Sequence, residues 1–151
     1  MNYLSGIAKP DKHIKSLTDI ANYLKQHGVE KVGLYGLCWG SKPGVLACGK
    51  DTPYSAAVLI HPSLIVPEDA KSLSVPIALF TTIEEDNDAM KTFQSNVQAN
   101  PVTSSTFVSK HYGDINHGFA GARANFEDPK HVERFKEVYE NTAKFFLQHL
   151  Q

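Results

Sequence analysis

The segment from Gly36 to Gly40, with the sequence Gly-Leu-Cys-Trp-Gly, constrains the fold more than any other part of the chain. It follows an apolar run and precedes a series of small residues. Glycine two positions before and after a nucleophile is typical of a sharp strand-to-helix turn, because a side chain at either place would collide with neighbouring backbone. The turn would hold the Cys38 sulfur beside the first N–H groups of the helix, whose partial positive charge favours thiolate. The motif therefore predicts an exposed, activated cysteine; the alternative is a buried structural cysteine between a strand and a helix.

Apolar segments alternate with amphipathic segments along the rest of the chain. We predict four strands, at about 31–35, 55–60, 77–82 and 105–111. We predict helices over about 11–28, 43–49, 88–97 and from 129 to the end, with a helical turn at 67–73. Continuous apolar strands alternating with helices imply a parallel sheet that is covered on both faces. The predicted fold class is α/β, a three-layer sandwich with about four parallel strands.

Length and composition exclude several classes of protein. A chain of 151 residues, 42% hydrophobic, is predicted to form one domain over residues 1–151. The net charge is −1 and no basic stripe is present, so we expect neither nucleic-acid nor membrane partners. The N-terminus does not resemble a signal peptide, and Cys38 and Cys48 are too few and too close for a disulfide framework. We therefore expect a cytoplasmic protein with free thiols.

Three chemically useful residues follow three of the predicted strands. Cys38 follows the first strand, Asp86 the third and His117 the fourth. The carboxyl ends of parallel strands meet at one edge of a sheet, where ligands bind in such folds. A nucleophile, an acid and a base are thus expected at one rim, in the chain order that α/β-hydrolases use.

The short sequence motifs around these residues are more specific than the order of the three residues along the chain. Four segments carry the resemblance: Gly36-Leu37-Cys38-Trp39-Gly40, His61-Pro62-Ser63, Pro76-Ile77-Ala78-Leu79-Phe80 and His117-Gly118-Phe119-Ala120. Together they resemble the dienelactone hydrolase family of the α/β-hydrolase superfamily, its eukaryotic branch in particular. The resemblance extends from about Gly33 to the end of the chain.

This resemblance implies a hydrolase that acts on a small ester or lactone and needs no cofactor or metal. Cys38 matches the nucleophile, His117 the general base and acid, and Asp86 the residue that orients the histidine. The backbone N–H of Trp39 is expected to meet the developing oxyanion of an acyl-thioester pathway. The separations of Asp86 from Cys38 and His117 are similar to those in the family and favour Asp86, and neighbouring carboxylates remain alternatives: Glu84, Glu85 and Asp88.

Substrate contacts are less specific in the sequence. Tyr35 and Phe119 are candidates to line the pocket, with core packing as the alternative for each. Arg123 matches a family arginine that holds the substrate carboxylate, although two extra residues displace it; the alternative is a solvated loop arginine. His61 is expected to be a structural strand-end histidine, and the other histidines lack the spacing of a metal site.

The resemblance also implies elements that precede this sequence in the family. They supply a second oxyanion donor, a substrate-binding arginine and an acidic residue near the nucleophile, and none has a counterpart in Met1 to Pro10. We therefore expect an N-terminally shortened domain. The strand at 31–35 is then expected to be an exposed edge that promotes self-association.

Two other functions stay open at this stage. A catalytically weak or silent relative could serve as an association module through that edge. A thiol-redox protein would need a resolving cysteine, and Cys48 is expected to point into helix packing.

Overall fold

The computed structural model describes residues 6–151. Within these residues, four strands and four α-helices follow one another, and a 3-10 turn alone joins the second strand to the third. The strands are β1 (Gly33–Leu37), β2 (Ala56–Ile60), β3 (Ile77–Thr82) and β4 (Val108–Tyr112). The helices are α1 (Ile14–Gln26), α2 (Ser41–Ala47), α3 (Asn87–Ala99) and α4 (Pro129–His149). The 3-10 turns are Pro10–His13, Cys38–Gly40 and Pro67–Ser72.

The strands form one parallel sheet in the order β1-β2-β3-β4. Tyr35 pairs with Val58 in the register between β1 and β2, and Leu59 pairs with Leu79 between β2 and β3. Every residue of β2 and β3 is buried. Continuous burial explains why these two segments lack polar alternation in the sequence, because both faces of a parallel sheet are covered by helices.

The two faces of the sheet carry separate hydrophobic clusters. On one face, α1, α2 and α3 pack with inward residues such as Ala21, Val45 and Phe93. On the other face, α4 packs with Val138 and Phe145. This is the predicted three-layer α/β sandwich, and it directs the carboxyl ends of all four strands to the same edge.

The predicted elements are confirmed in type and shifted at their ends. β1 begins two residues and β4 three residues later than expected. The amphipathic pattern of the predicted first helix places Ile20 and Leu24 on its inward face, whereas both are exposed in α1. In α4 the buried face includes Thr142 and Phe145, whereas Ala143 is exposed.

The outer side of β1 has no strand partner among residues 6–151. A cavity of about 280 Å³ runs along this strand and is lined by Leu17 of α1 together with Leu34, Tyr35 and Trp39. We predicted that Met1 to Pro10 contains no counterpart of the family's N-terminal elements. Part of that segment, residues 1–5, lies outside the residues that the structure describes. From Gly6 onward, the chain forms a turn and then the 3-10 helix Pro10–His13.

Candidate active site

Cys38 occupies a strained turn between β1 and α2. Its φ angle is +53°, a left-handed conformation that non-glycine residues rarely adopt outside functional sites. A Cβ on Gly36 would lie 2.5 Å from the Gly40 carbonyl oxygen, so glycine is required there, as predicted. The Ser41 hydroxyl donates to the Gly36 carbonyl oxygen at 2.8 Å and closes the turn.

The sequence argument is wrong for the second glycine of the motif. A Cβ on Gly40 would meet no atom within 4 Å, and the φ angle of Gly40 is an ordinary −61°. The crowding is one-sided because the backbone folds back from Gly40 onto Gly36. Of the two glycines in the motif, only Gly36 has a steric reason to lack a side chain.

His117 lies in the loop that follows β4, and a carboxylate fixes its ring. Its Nδ1 donates to Glu85 Oε1 at 2.7 Å, and the Glu85 side chain is only 4% exposed. Glu85 is itself held by Thr82 at the end of β3, whose hydroxyl donates to the same Oε1 at 3.0 Å and whose backbone N–H donates to Oε2. This leaves Nε2 of His117 on the side of the ring that faces away from Glu85.

The prediction that Asp86 orients His117 is therefore wrong. Asp86 caps α3 instead: its Oδ1 accepts hydrogen bonds from the backbone N–H groups of Asp88 and Ala89, both at 3.0 Å. A carboxylate at an N-cap satisfies backbone donors that the helix leaves free. Glu85, which the sequence left as an alternative, makes the contact that Asp86 was expected to make.

Sequence reasoning missed a contribution from β2. Ser63, three residues beyond that strand, has its Oγ 3.5 Å from Cys38 Sγ and 3.5 Å from His117 Nε2. Its backbone N–H also donates to the Cys38 carbonyl oxygen at 3.0 Å. The signal was available, because β2 lies between the strands that lead to Cys38 and Glu85. Each of the four strands is thus followed by a residue of the candidate site.

The surroundings favour an ion pair between Cys38 and His117. Burial by itself would raise the pKa of the Cys38 thiol, but the interactions with His117 and Ser63 outweigh it and lower that pKa. The backbone N–H of Trp39 acts in the same direction. Burial would lower the pKa of His117, yet Cys38 and Glu85 raise it. A thiolate beside an imidazolium is the reactive form of a cysteine nucleophile.

His61 is buried against the ring of His117. It is 1% exposed, its φ angle is +36°, and the two imidazole centroids are 4.7 Å apart. Neither ring nitrogen of His61 finds a hydrogen-bond partner within residues 6–151. Burial, aided by the charge of His117, lowers the pKa of His61 to about 4. A neutral His61 therefore packs beside the base at neutral pH.

The predicted substrate contacts are not brought together. Phe119 is fully buried and packs on His61 and Tyr112 as part of the core. Tyr35, 53% exposed, lies on β1 and lines the cavity between that strand and α1. The Arg123 guanidinium reaches Glu84 at 3.4 Å, with both side chains largely solvated. Phe119 is therefore a residue of the core and Arg123 a solvated loop residue, which were the alternatives to substrate contact for these two residues.

A cavity of about 260 Å³ lies beside the base and provides room for a small molecule. Ser63 and His117 line one side of it, and Pro62, Leu64 and Met90 supply apolar surface. His117 lines this cavity and Cys38 does not, whereas neither residue lines the cavity along β1.

Other chemistry finds little support among residues 6–151. Within that range, no group of three His, Cys, Asp or Glu side chains is placed to hold a metal ion. Both cysteines are free, and burial raises the pKa of Cys48 to about 12, so this thiol is unsuited to resolve a disulfide. No helix in the same range is long and apolar enough to cross a membrane.

The sequence profile of the dienelactone hydrolase family matches residues 4–150. The chain belongs to the dienelactone hydrolase family. Two uncharacterized AIM2 family proteins of Schizosaccharomyces pombe are 30% and 28% identical to it over 97% and 96% of the chain. The chain spans 59% and 58% of the length of these two relatives.

Solved structures share the fold of this family member at low sequence identity. A candidate dienelactone hydrolase of Klebsiella pneumoniae matches 93% of the chain with a TM-score of 0.75 and 18% identity. An esterase of Pyrococcus furiosus matches 94% with a TM-score of 0.70 and 12% identity. The chain covers 62% and 64% of these two structures. The similarity establishes an α/β-hydrolase-like fold.

Proposed function

We propose that this chain hydrolyses small carboxylic esters or lactones with a triad of Cys38, His117 and Glu85. The observation that carries the proposal is the chain of contacts from Glu85 to Cys38 at the sheet edge. Glu85 accepts from His117 Nδ1, and His117 Nε2 points toward the Cys38 sulfur by way of the Ser63 hydroxyl. Family membership supports a hydrolase, and the esterase of Pyrococcus furiosus shares the fold.

The residue types define a two-stage reaction. The Cys38 thiolate attacks the carbonyl carbon, the bond to the alcohol oxygen breaks, and His117 protonates the departing alcohol. Water then attacks the acyl-thioester while His117 accepts its proton, which releases the acid and regenerates the thiol. The Trp39 backbone N–H, which helps to lower the pKa of the Cys38 thiol, is the proposed donor to the oxyanion. Glu85 keeps the tautomer of His117 that presents a free Nε2.

Dependence on Cys38 and His117 as a unit tests the proposal. The measurement is hydrolysis of p-nitrophenyl acetate by wild type, Cys38→Ala, His117→Ala and the double variant, with Cys48→Ser as the matched thiol control. Groups that act together lose activity non-additively, so we expect the double variant to be no slower than either single variant. Activity that survives in Cys38→Ala, or losses that multiply in the double variant, would reject the triad.

A further inference from the structure

The hydroxyl of Ser63 lies within reach of both Cys38 and His117. Its oxygen lies 3.5 Å from Cys38 Sγ and 3.5 Å from His117 Nε2. A hydroxyl has one proton to donate and two lone pairs that accept. It can therefore satisfy both neighbours at once, whichever of them holds the mobile proton.

We propose that Ser63 is a further catalytic residue, whose hydroxyl passes the proton between Cys38 and His117. This inference rests on the proposed hydrolase function. In the neutral pair, the Sγ–H bond breaks and its proton binds Ser63 Oγ. At the same time the Ser63 O–H bond breaks and that proton binds His117 Nε2. The products are a thiolate, an imidazolium and an unchanged hydroxyl, so protons and charge balance.

The same hydrogen bonds suit the charged state after transfer. The imidazolium Nε2–H donates to Ser63 Oγ, and the Ser63 O–H donates to the thiolate. Other titratable groups that face the pair are Glu85, which accepts from the opposite nitrogen of His117, and His61, whose ring packs on that imidazole. Neither of these two groups lies between the sulfur and Nε2.

The backbone holds Ser63 in this position independently of its side chain. Its N–H donates to the Cys38 carbonyl oxygen at 3.0 Å, and Pro62 restricts the preceding dihedral angle. The left-handed conformation of His61 turns the chain immediately before it. Removal of the hydroxyl alone should therefore leave the turn intact, which makes Ser63→Ala an interpretable variant.

The test compares wild type, Ser63→Ala and Ser63→Thr, with Ser95→Ala as the control. Ser95 lies on α3, and its hydroxyl donates only to the Lys91 carbonyl oxygen. Three quantities are measured: kcat/KM for p-nitrophenyl acetate, the pH midpoint of Cys38 alkylation by iodoacetamide, and the solvent isotope effect in mixtures of light and heavy water. Circular dichroism verifies that each variant is folded.

We expect Ser63→Ala to lower kcat/KM about 10- to 100-fold and to raise the alkylation midpoint by about one pH unit. The isotope effect of wild type should depend non-linearly on the heavy-water fraction, since two protons move together, and become linear in Ser63→Ala. Ser63→Thr should recover most of the activity, because it keeps the hydroxyl. Ser95→Ala should match wild type.

Two failures are distinguishable. An active, Cys38-dependent wild type whose Ser63→Ala variant keeps its rate, midpoint and isotope dependence would overturn the role of Ser63 and leave the proposed function in place. A folded wild type with no Cys38-dependent hydrolysis would overturn the proposed function, and the catalytic role of Ser63 with it.

Discussion

Glu85 and Asp86 are adjacent acids with different contacts, because their side chains point in different directions. Glu85 points inward, where Thr82 and His117 bind its carboxylate. Asp86 points along α3 and accepts two backbone hydrogen bonds. A longer side chain reaches the imidazole from the end of β3, whereas the shorter one is suited to capping.

Exchange of each carboxylate for its amide separates the two roles. Glu85→Gln should lower kcat/KM about 100-fold or more, because an amide can donate to Nδ1 and so select the wrong tautomer of His117. Asp86→Asn should leave kcat/KM about unchanged, since asparagine caps helices as well as aspartate does. Ester hydrolysis at fixed pH is the measurement, and a larger loss in Asp86→Asn would restore the original assignment.

The residue-level site was predictable only in part. The motif around Cys38 and the loop at His117 identified two partners, since each residue type is chemically distinctive. The choice among the acids after β3 depended on side-chain direction, which sequence spacing does not specify. A capping argument was nevertheless available, because Asp86 stands just before the predicted helix at 88–97. Ser63 was missed although its position after the central strand β2 was a signal, because serine is common in loops.

His61 should make the protein sensitive to mild acid. Its pKa is lowered to about 4 in the folded chain, against about 6.5 when unfolded, so the unfolded state binds more protons between these values. The contribution of neutral His61 is complete above pH 6.5 and is lost as pH falls toward 4. The expected loss of unfolding free energy is about 3 kcal/mol across that window.

The comparison of wild type with His61→Phe isolates this effect. Urea unfolding is measured at pH 7, 6, 5 and 4.5, and the variant should show a flatter pH dependence whatever its stability at pH 7. His117 acts in the opposite direction, because its raised pKa favours the folded state as pH falls, and it is present in both proteins. Parallel pH curves for the two proteins would show that His61 does not titrate in this way.

At the scale of the elements, the order and type of the strands and helices were predictable, and their ends were less so. β2 and β3 are buried along their full length, so their apolar runs have sharp limits. β1 and β4 are edge strands with exposed residues, and polar or glycine positions within them weaken the pattern. The turn at Cys38 was predictable because it needs glycine at position 36, where a side chain has no space.

The two glycines of the turn provide a matched pair of variants. Gly36→Ala should reduce the unfolding free energy by about 2 kcal/mol or more, because its Cβ would overlap backbone atoms of Gly40 and Ser41. Gly40→Ala should stay within about 1 kcal/mol of wild type, since its φ is compatible with alanine and space is free. The free energy of unfolding of each variant is measured by urea unfolding. Equal losses of this free energy in both variants would contradict crowding at Gly36 alone of the two glycines.

At the scale of the whole molecule, the outer side of β1 is one of the two unpaired edges of the described sheet. Unpaired backbone groups beside apolar side chains favour pairing with another chain. Tyr35 is 53% exposed on this strand, and Leu34 and Trp39 line the adjoining cavity. We therefore predict that the 151-residue chain self-associates through β1.

Light scattering coupled to size-exclusion chromatography over a concentration series tests this prediction. The average mass should rise with concentration for wild type. It should rise less for Tyr35→Lys, because an edge lysine opposes strand pairing. The control is Val108→Lys on the opposite edge strand β4, which should behave as wild type. A wild-type mass that stays at one monomer throughout would disprove the association.

The central claim is that Cys38 carries the acyl group in a thioester. The most direct test mixes the chain with excess p-nitrophenyl acetate, quenches with acid within milliseconds to seconds, and locates the acetyl group by peptide mass spectrometry. We predict acetylation at Cys38 that forms faster than steady-state turnover and decays as substrate is consumed, with none at buried Cys48. Turnover of the ester by folded protein without acetyl-Cys38 at any time, or equal turnover by Cys38→Ala, would contradict the account.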